Sequence, residues 1–236
     1  MRGLWIALIA LGLQAQDTKA LAILQKHLRV RGGVEKLKAM KTLRIKGWEL
    51  LYPVEAGLPW KLEQSRPNKF REEATVHGMV EVHTFNGTEG WITIPWAKEN
   101  KPKAMTPEQV DALKENDFDD PWIQALEHPQ DLHYQGPTRF NGTPVLQVQW
   151  TLGNGDELVG YFDQEVGLEI MRERIHREMG NEYKVRWESL RWQTVKGIAF
   201  PFETVRRAVA RGLRLKILVE SIEVDPVIPD ARFNKP

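Results

Sequence analysis

Residues 145–163 read VLQVQWTLGNGDELVGYFD, and this stretch decides the fold. Leu146, Val148, Trp150 and Leu152 fall on alternate positions, so one side of an extended segment is apolar and the other polar. Asn154-Gly155 follows, a pair that tolerates positive φ, and a second extended run continues to Asp163. The pattern predicts a β-hairpin with a type I′ turn at Asn154-Gly155.

The same grammar extends in both directions. Asp163 to Gly167 predicts the next turn, after which Leu168 and Ile170 open another strand. NEYKVRWESLRW (181–192) and GLRLKILVESIEV (212–224) follow. In the latter, Leu213, Leu215, Ile217 and Val219 oppose Arg214, Lys216 and Leu218. Upstream, strands are expected over 42–52, 60–64, 69–76, 79–85 and 90–94. FNGT occurs at 85–88 and again at 140–143; it matches a glycosylation acceptor, but Asn-Gly reads better as a hairpin turn. Many strands joined by short turns predict one antiparallel meander, and a sheet that long curls.

Helices are expected in two places. Leu21, Leu24 and Leu28 recur at helical spacing between Asp17 and Arg29, and Gly32-Gly33 ends that helix. A second short helix runs from Val34 to Met40 and buries Leu37 and Met40. In mid-chain, TPEQVDALKEN (106–116) starts with Thr106 as N-cap, Pro107 as first helical residue and Gln109 closing a capping box. DDPWIQALEH (119–128) repeats this with Asp120 and Pro121. The expected fold is α+β: a curved antiparallel sheet forming an incomplete β-barrel, closed by the N-terminal helix and the mid-chain helices. It is expected as a single domain over 16–236, without linkers.

The first sixteen residues, MRGLWIALIALGLQAQ, place Arg2 before an apolar run from Leu4 to Leu13, with Ala15 at a cleavage position. The run is too short to span a bilayer and suits a secretory signal over residues 1–15. The rest of the chain is therefore expected in the periplasm, soluble. It contains no cysteine, which excludes disulfides and a cysteine-linked lipid. A net charge of +1 gives no electrostatic case for nucleic acid.

Motifs for chemistry are absent. His77 and His83 lie six residues apart on one extended run, too far to share a metal. His128 and His133 flank a loop without a third ligand, and His176 shares a solvated strand face with Arg172 and Arg174. ENDFDDPW (115–122) lacks the glycine of a calcium loop, and His128 stands where that loop needs glutamate. GNGDELVG (153–160) leads into a strand, not the helix that an anion site requires. There is no GxSxG, no HExxH and no thiol. Arg206, Arg207, Arg211, Arg214 and Lys216 read as a solvent-facing strand side. No catalytic residue, metal ligand set or cofactor is expected. Nine tryptophans against four tyrosines is the remaining anomaly. They supply a heavy core or the walls of an apolar cavity.

In order, GGVEKLKAMKTLRIKGW (32–48), RPNKFREE (66–73), FNGTEGWITIP (85–95), FNGTPVLQVQW (140–150), GYFDQEVGLEI (160–170) and VKGIAFPFET (195–204) form a series. This series resembles periplasmic outer-membrane lipoprotein-sorting proteins of the LolA/LolB-like superfamily. The resemblance implies a half-barrel whose helices close an apolar cavity for the acyl chains of a lipoprotein or lipid. It implies donor and acceptor proteins at the inner and outer membranes, a monomer and no enzyme activity. LolB is anchored through a cysteine that this chain lacks, so the LolA-like state fits better. The family's functional residues do not map singly onto this chain. Candidate walls and lid are Trp48, Trp60, Trp91, Ile94, Trp96, Leu113, Trp122, Leu126, Val148 and Trp150. Two other readings stay open: an envelope enzyme using paired carboxylates, and an interaction protein whose tryptophans only fill a core.

Overall fold

The computed structural model describes residues 18–52, 56–97, 100–107, 109–110, 118–178, 181–208 and 213–236. The signal expected over 1–15, Leu113 and Arg211 lie outside the described residues. The strands are β1 (Thr42–Tyr52), β2 (Ala56–Ser65), β3 (Lys69–Val76), β4 (Met79–Phe85), β5 (Gly90–Thr93) and β6 (Lys103–Ala104). Then come β7 (Leu132–Phe140), β8 (Thr143–Thr151), β9 (Glu157–Asp163), β10 (Glu169–Glu178), β11 (Asn181–Val195), β12 (Ile198–Ala208) and β13 (Leu213–Val224). Helices are α1 (18–30), α2 (Val34–Ala39) and α3 (Pro121–Ala125).

All thirteen strands join one open sheet in the order β6-β5-β4-β3-β2-β1-β13-β12-β11-β10-β9-β8-β7. Neighbours in the sheet are consecutive in sequence except where β1 meets β13, and β6 and β7, consecutive in sequence, form its two edges. The expected α+β class, an antiparallel sheet that does not close, is what the chain forms. The two edges differ. β6 has two residues, while β7 carries Pro137 and a bulge between Tyr134 and Gly136.

Most strand boundaries match the alternation. β2 starts at Ala56 rather than 60 because it pairs with β1 as far as Leu51 opposite Ala56, while its pairing with β3 reaches only to Trp60. Pro59 is therefore not asked to donate to β3, and a proline is tolerated there. The turn at Asn154-Gly155 differs from expectation. Thr151 and Glu157 form the last pair, so five residues connect the strands, and of the central pair only Gly155 has positive φ. A type I′ turn needs both; the Asn154 side chain instead accepts from the Asp156 N–H. Two-residue turns with both φ positive lie instead at His77-Gly78, Asn141-Gly142 and Lys196-Gly197, the second closed by Phe140 opposite Thr143.

The chain divides into two compact units, one of Met1–Val34, Pro121–Leu190 and Val205–Leu213, the other of Glu35–Asp120, Arg191–Thr204 and Arg214–Pro236. In the first unit, register puts Leu132, Trp150 and Leu158 in one row, Val148 and Gly160 in the next, and Leu146 beside Phe162. Helices α1 and α3 cover this face. Ala20, Leu24 and Leu28 of α1 are buried, and His27 meets the Phe162 ring edge-on at 5.1 Å. The Gly33 N–H bonds back to the Leu28 carbonyl with Gly33 at φ +91, so the double glycine caps α1 as expected. Trp122 of α3 is fully buried against Phe162 at 5.3 Å, and its indole N–H donates to Glu169.

In the second unit, one face of β1–β3 carries an ion-pair network. Glu63, 2% exposed, takes Arg44 at 2.9 Å, Arg232 at 2.7 Å and Lys61 at 3.0 Å. Burial alone would raise the Glu63 carboxyl, but hydrogen bonds from Arg232, Lys61 and Arg44 outweigh it and hold it at about 2. Arg232 belongs to the 3-10 turn Asp230–Phe233, whose Phe233 is buried, so the network clamps the C-terminal segment onto the sheet.

Trp122 requires the absence of a side chain at Gly160. A Cβ there would meet Phe162 Cε2 at 2.7 Å and come closer still to the indole. Gly160→Val should therefore cost about 1–3 kcal/mol of stability, read as a lowered urea midpoint at unchanged slope.

Candidate functional site

The opposite face of β1–β5 in the second unit has a different chemistry. Register sets Ile222, Ile45, Leu62, Glu72, His83 and Ile92 in one row across β13, β1, β2, β3, β4 and β5. The next row holds Val219, Gly47, Trp60, Ala74 and Glu81; beyond it Glu49 lies between Ile217 and Leu58. Ile45, Leu58, Leu62, Ile92 and Ile217 are only half-buried, while Trp60 is 8% exposed. Further along the strands the same face closes into core, with Leu43 and Phe85 buried and the Phe70 and Phe85 rings 6.2 Å apart. Arg66 anchors that end: its guanidinium donates to the Leu37 carbonyl at 2.9 Å and pairs with Asp119.

Three carboxylates and one imidazole stand within the half-buried part. Trp60 Nε1 donates to Glu72 Oε1 at 2.7 Å, and His83 Nε2 lies 2.7 Å from Glu81 Oε1. Among the described residues, no arginine or lysine pairs with Glu49. Burial, then the charges of Glu72 and Glu81, push its carboxyl up to about 7, against a smaller downward pull from His83. Ala74 and Gly47 form a low floor between these longer side chains.

The candidate residues from the sequence separate into several places. Trp122, Val148 and Trp150 all belong to the first unit and are buried there. Leu126 follows α3 and is half-buried. In the second unit Trp60 lies on the aliphatic face. Trp48 points to the other side, 39% exposed, with its indole N–H on Glu220 at 2.6 Å. Trp91 also belongs to that other side, opposite Thr84, and lines a recess of about 250 Å³ with Met105, Pro107 and Val110. Ile94 is half-buried just after β5, and Trp96 is 45% exposed in a turn. Within the second unit, Trp60 is the one indole on the aliphatic face among the described residues, and Trp48 and Trp91 lie on the other face.

Sequence reading missed the glutamates of this face. Glu49, Glu72 and Glu81 are separated in the chain and converge only through the pairing of four strands. The expected solvated face of Arg172, Arg174 and His176 does keep contact with water, His176 being exposed, but it also carries ion pairs. Arg172 pairs with buried Glu169 at 2.6 Å, and Arg174 and His176 both hold Asp156, 3% exposed. The capping box is as expected: the Thr106 N–H reaches Gln109 Oε1 at 2.9 Å, and the Gln109 N–H reaches Thr106 Oγ1 at 3.3 Å.

No family model matches this chain, and no curated protein sequence matches it. Its fold, however, is known from solved structures. A protein of the DUF1329 family from Desulfovibrio piger is 12% identical, covering 92% of this chain and 96% of its own, at a TM-score of 0.59. A LolA superfamily protein from Nitrosomonas europaea is 11% identical, covering 92% and 97%, at 0.56. A putative outer-membrane lipoprotein-sorting protein domain from Vibrio parahaemolyticus is 11% identical, covering 89% and 97%, at 0.55. The chain therefore has the LolA-like fold that its sequence resemblance implied, in a divergent form. Among the described residues no helix is long and apolar enough to cross a membrane.

The raised Glu49 carboxyl has a signed consequence for stability. Its folded value, about 7, lies above the ordinary 4.5, so the folded chain holds a proton that the unfolded chain has released. That contribution is complete below about pH 4.5 and is lost as pH rises through about 7. Glu49→Gln should remove this slope. At pH 8 it should be more stable than the parent by about 1–2 kcal/mol, allowing for screening by water, measured by urea unfolding across the pH range.

Proposed function

We propose that this chain is a periplasmic carrier that binds the acyl chains of a lipoprotein or lipid and transfers them between membranes. The observation that carries the reading is the half-buried aliphatic row Ile45, Leu62 and Ile92, flanked by Leu58 and Ile217. Side chains of this kind normally complete a core; here they line a face that keeps contact with water. The likeness in fold to a lipoprotein-sorting domain supports the same reading.

An apolar wall suits a shuttle energetically. Each methylene moved out of water contributes about 0.8 kcal/mol, and a single myristoyl chain holds to a bilayer with about 10⁴ M⁻¹. A carrier must compete with that value without far exceeding it, or cargo is never released. A surface of aliphatic side chains with few hydrogen bonds meets both conditions. Delivery and receipt belong to partner proteins at the inner and outer membranes. The carrier acts as an exported monomer after removal of residues 1–15 and uses no cofactor.

Two measurements test this. Mass spectrometry of the protein purified from native periplasm should detect a co-purified lipid or acylated peptide. Titration with a pyrene-labelled lysophosphatidylcholine should quench tryptophan emission saturably. Leu62→Glu, which sets a charge in the middle of the aliphatic row, should weaken that binding by about tenfold or more with the fold retained. A parent protein that gives no response at saturating probe would remove the carrier reading.

A further inference from the structure

The sheet meets most of its buried carboxylates with a cation. Glu63 has three, Asp156 has Arg174 and His176, Glu173 has Arg186, and Glu188 has Arg207 at 2.9 Å. The aliphatic face departs from this rule. From β1 comes Glu49; β2 presents Leu58 and Trp60, and β3 presents Glu72 and Ala74. Glu81 and His83 come from β4, and β13 offers Ile217 and Val219. Lys216 of the adjoining strand β13 is the register partner of Leu50 on the other side of the sheet and pairs there with Glu203. Among the described residues, the groups facing Glu49 are two further carboxylates, one imidazole and aliphatic carbon.

From this arrangement we infer that the cluster is a proton-operated control on cargo binding, resting on the carrier reading above: the face accepts an acyl chain when Glu49 is protonated and rejects it when Glu49 is ionised. A chain laid along Ile45, Leu62 and Ile217 strips water from the carboxylate beside them. An ionised group with two like charges nearby has nothing to replace that water. The neutral acid loses far less and adds to the apolar wall. Burial and the neighbouring charges already hold the carboxyl near 7 in the free protein, so the control operates in the neutral range. Linkage makes it reciprocal: bound cargo raises proton affinity as much as protons raise cargo affinity.

Two features set the midpoint. Glu72 is fixed by the Trp60 indole N–H and Glu81 by contact with His83, so both charges keep their places relative to Glu49. Charge on His83 pulls Glu49 the other way, toward ionisation, against burial and the two carboxylates.

The test uses the full exported chain and pyrene-labelled lysophosphatidylcholine, whose head group does not change charge over this range. Binding is measured across the neutral range, and the parent should weaken about tenfold between about pH 6 and pH 8, following the protonated fraction. Glu49→Gln should bind with a flat profile. Should that variant not fold, Glu81→Gln gives a second reading: loss of one neighbouring charge should move the midpoint to lower pH. Equal parent affinity at both ends of the range overturns the control while leaving the carrier intact. A pH profile that persists unchanged in Glu49→Gln overturns it as well. No binding at any pH overturns the carrier reading, and this inference falls with it.

Discussion

A carboxylate taken out of water must find a positive partner or keep its proton, and the sheet is organised around that requirement. Strand alternation decides which side chains leave water, and pairing decides what they meet there. On one face of β1–β3 the answer is arginine and lysine, so Glu63 stays ionised and ties the C-terminal turn down. In the first unit Asp156 and Glu169 are answered from β10 in the same way. On the aliphatic face no arginine or lysine among the described residues meets Glu49, and its carboxyl is pushed up to about 7. The same chemical group thus acts as structural glue in one place and as a titrating element in another. Register alone makes the difference.

Much of the fold was legible because a period of two survives any substitution that keeps apolar and polar residues in their places. Val148 and Trp150 on alternate positions, and the paired phases of 42–52 and 69–76, give the strands directly. Thr106 with Gln109 gives a cap, and Gly32-Gly33 gives a helix end. What alternation lacks is depth. It could not tell that Pro59 lies within a strand, because tolerance there depends on where β3 stops pairing. It could not tell that Asn154 adopts an ordinary φ, because a five-residue connection closes through the Asp156 N–H.

The site was less legible, for a related reason. Tryptophan count points to apolar area without saying which side of a strand each indole occupies. Trp48 and Trp60 look equivalent in the sequence, yet Trp48 faces Pro59 and Trp60 faces Gly47, on opposite sides. Trp122, Val148 and Trp150 are all buried in the first unit. The glutamates of the aliphatic face come from three strands, each unremarkable alone. The solved structures with this fold share only 11–12% of residues with it, which fits a scaffold maintained by pattern while the chemistry on its faces varies.

An open sheet leaves two borders where a foreign strand could dock, and both are poorly suited to it. β6 offers only Lys103 and Ala104, too short to seed a ladder. β7 is longer, but Pro137 withholds a donor and the bulge after Tyr134 twists the register. The chain can therefore leave its sheet unclosed at high local concentration without stringing into fibrils, a safeguard that a closed barrel obtains from topology and this one obtains from a proline, a kink and brevity.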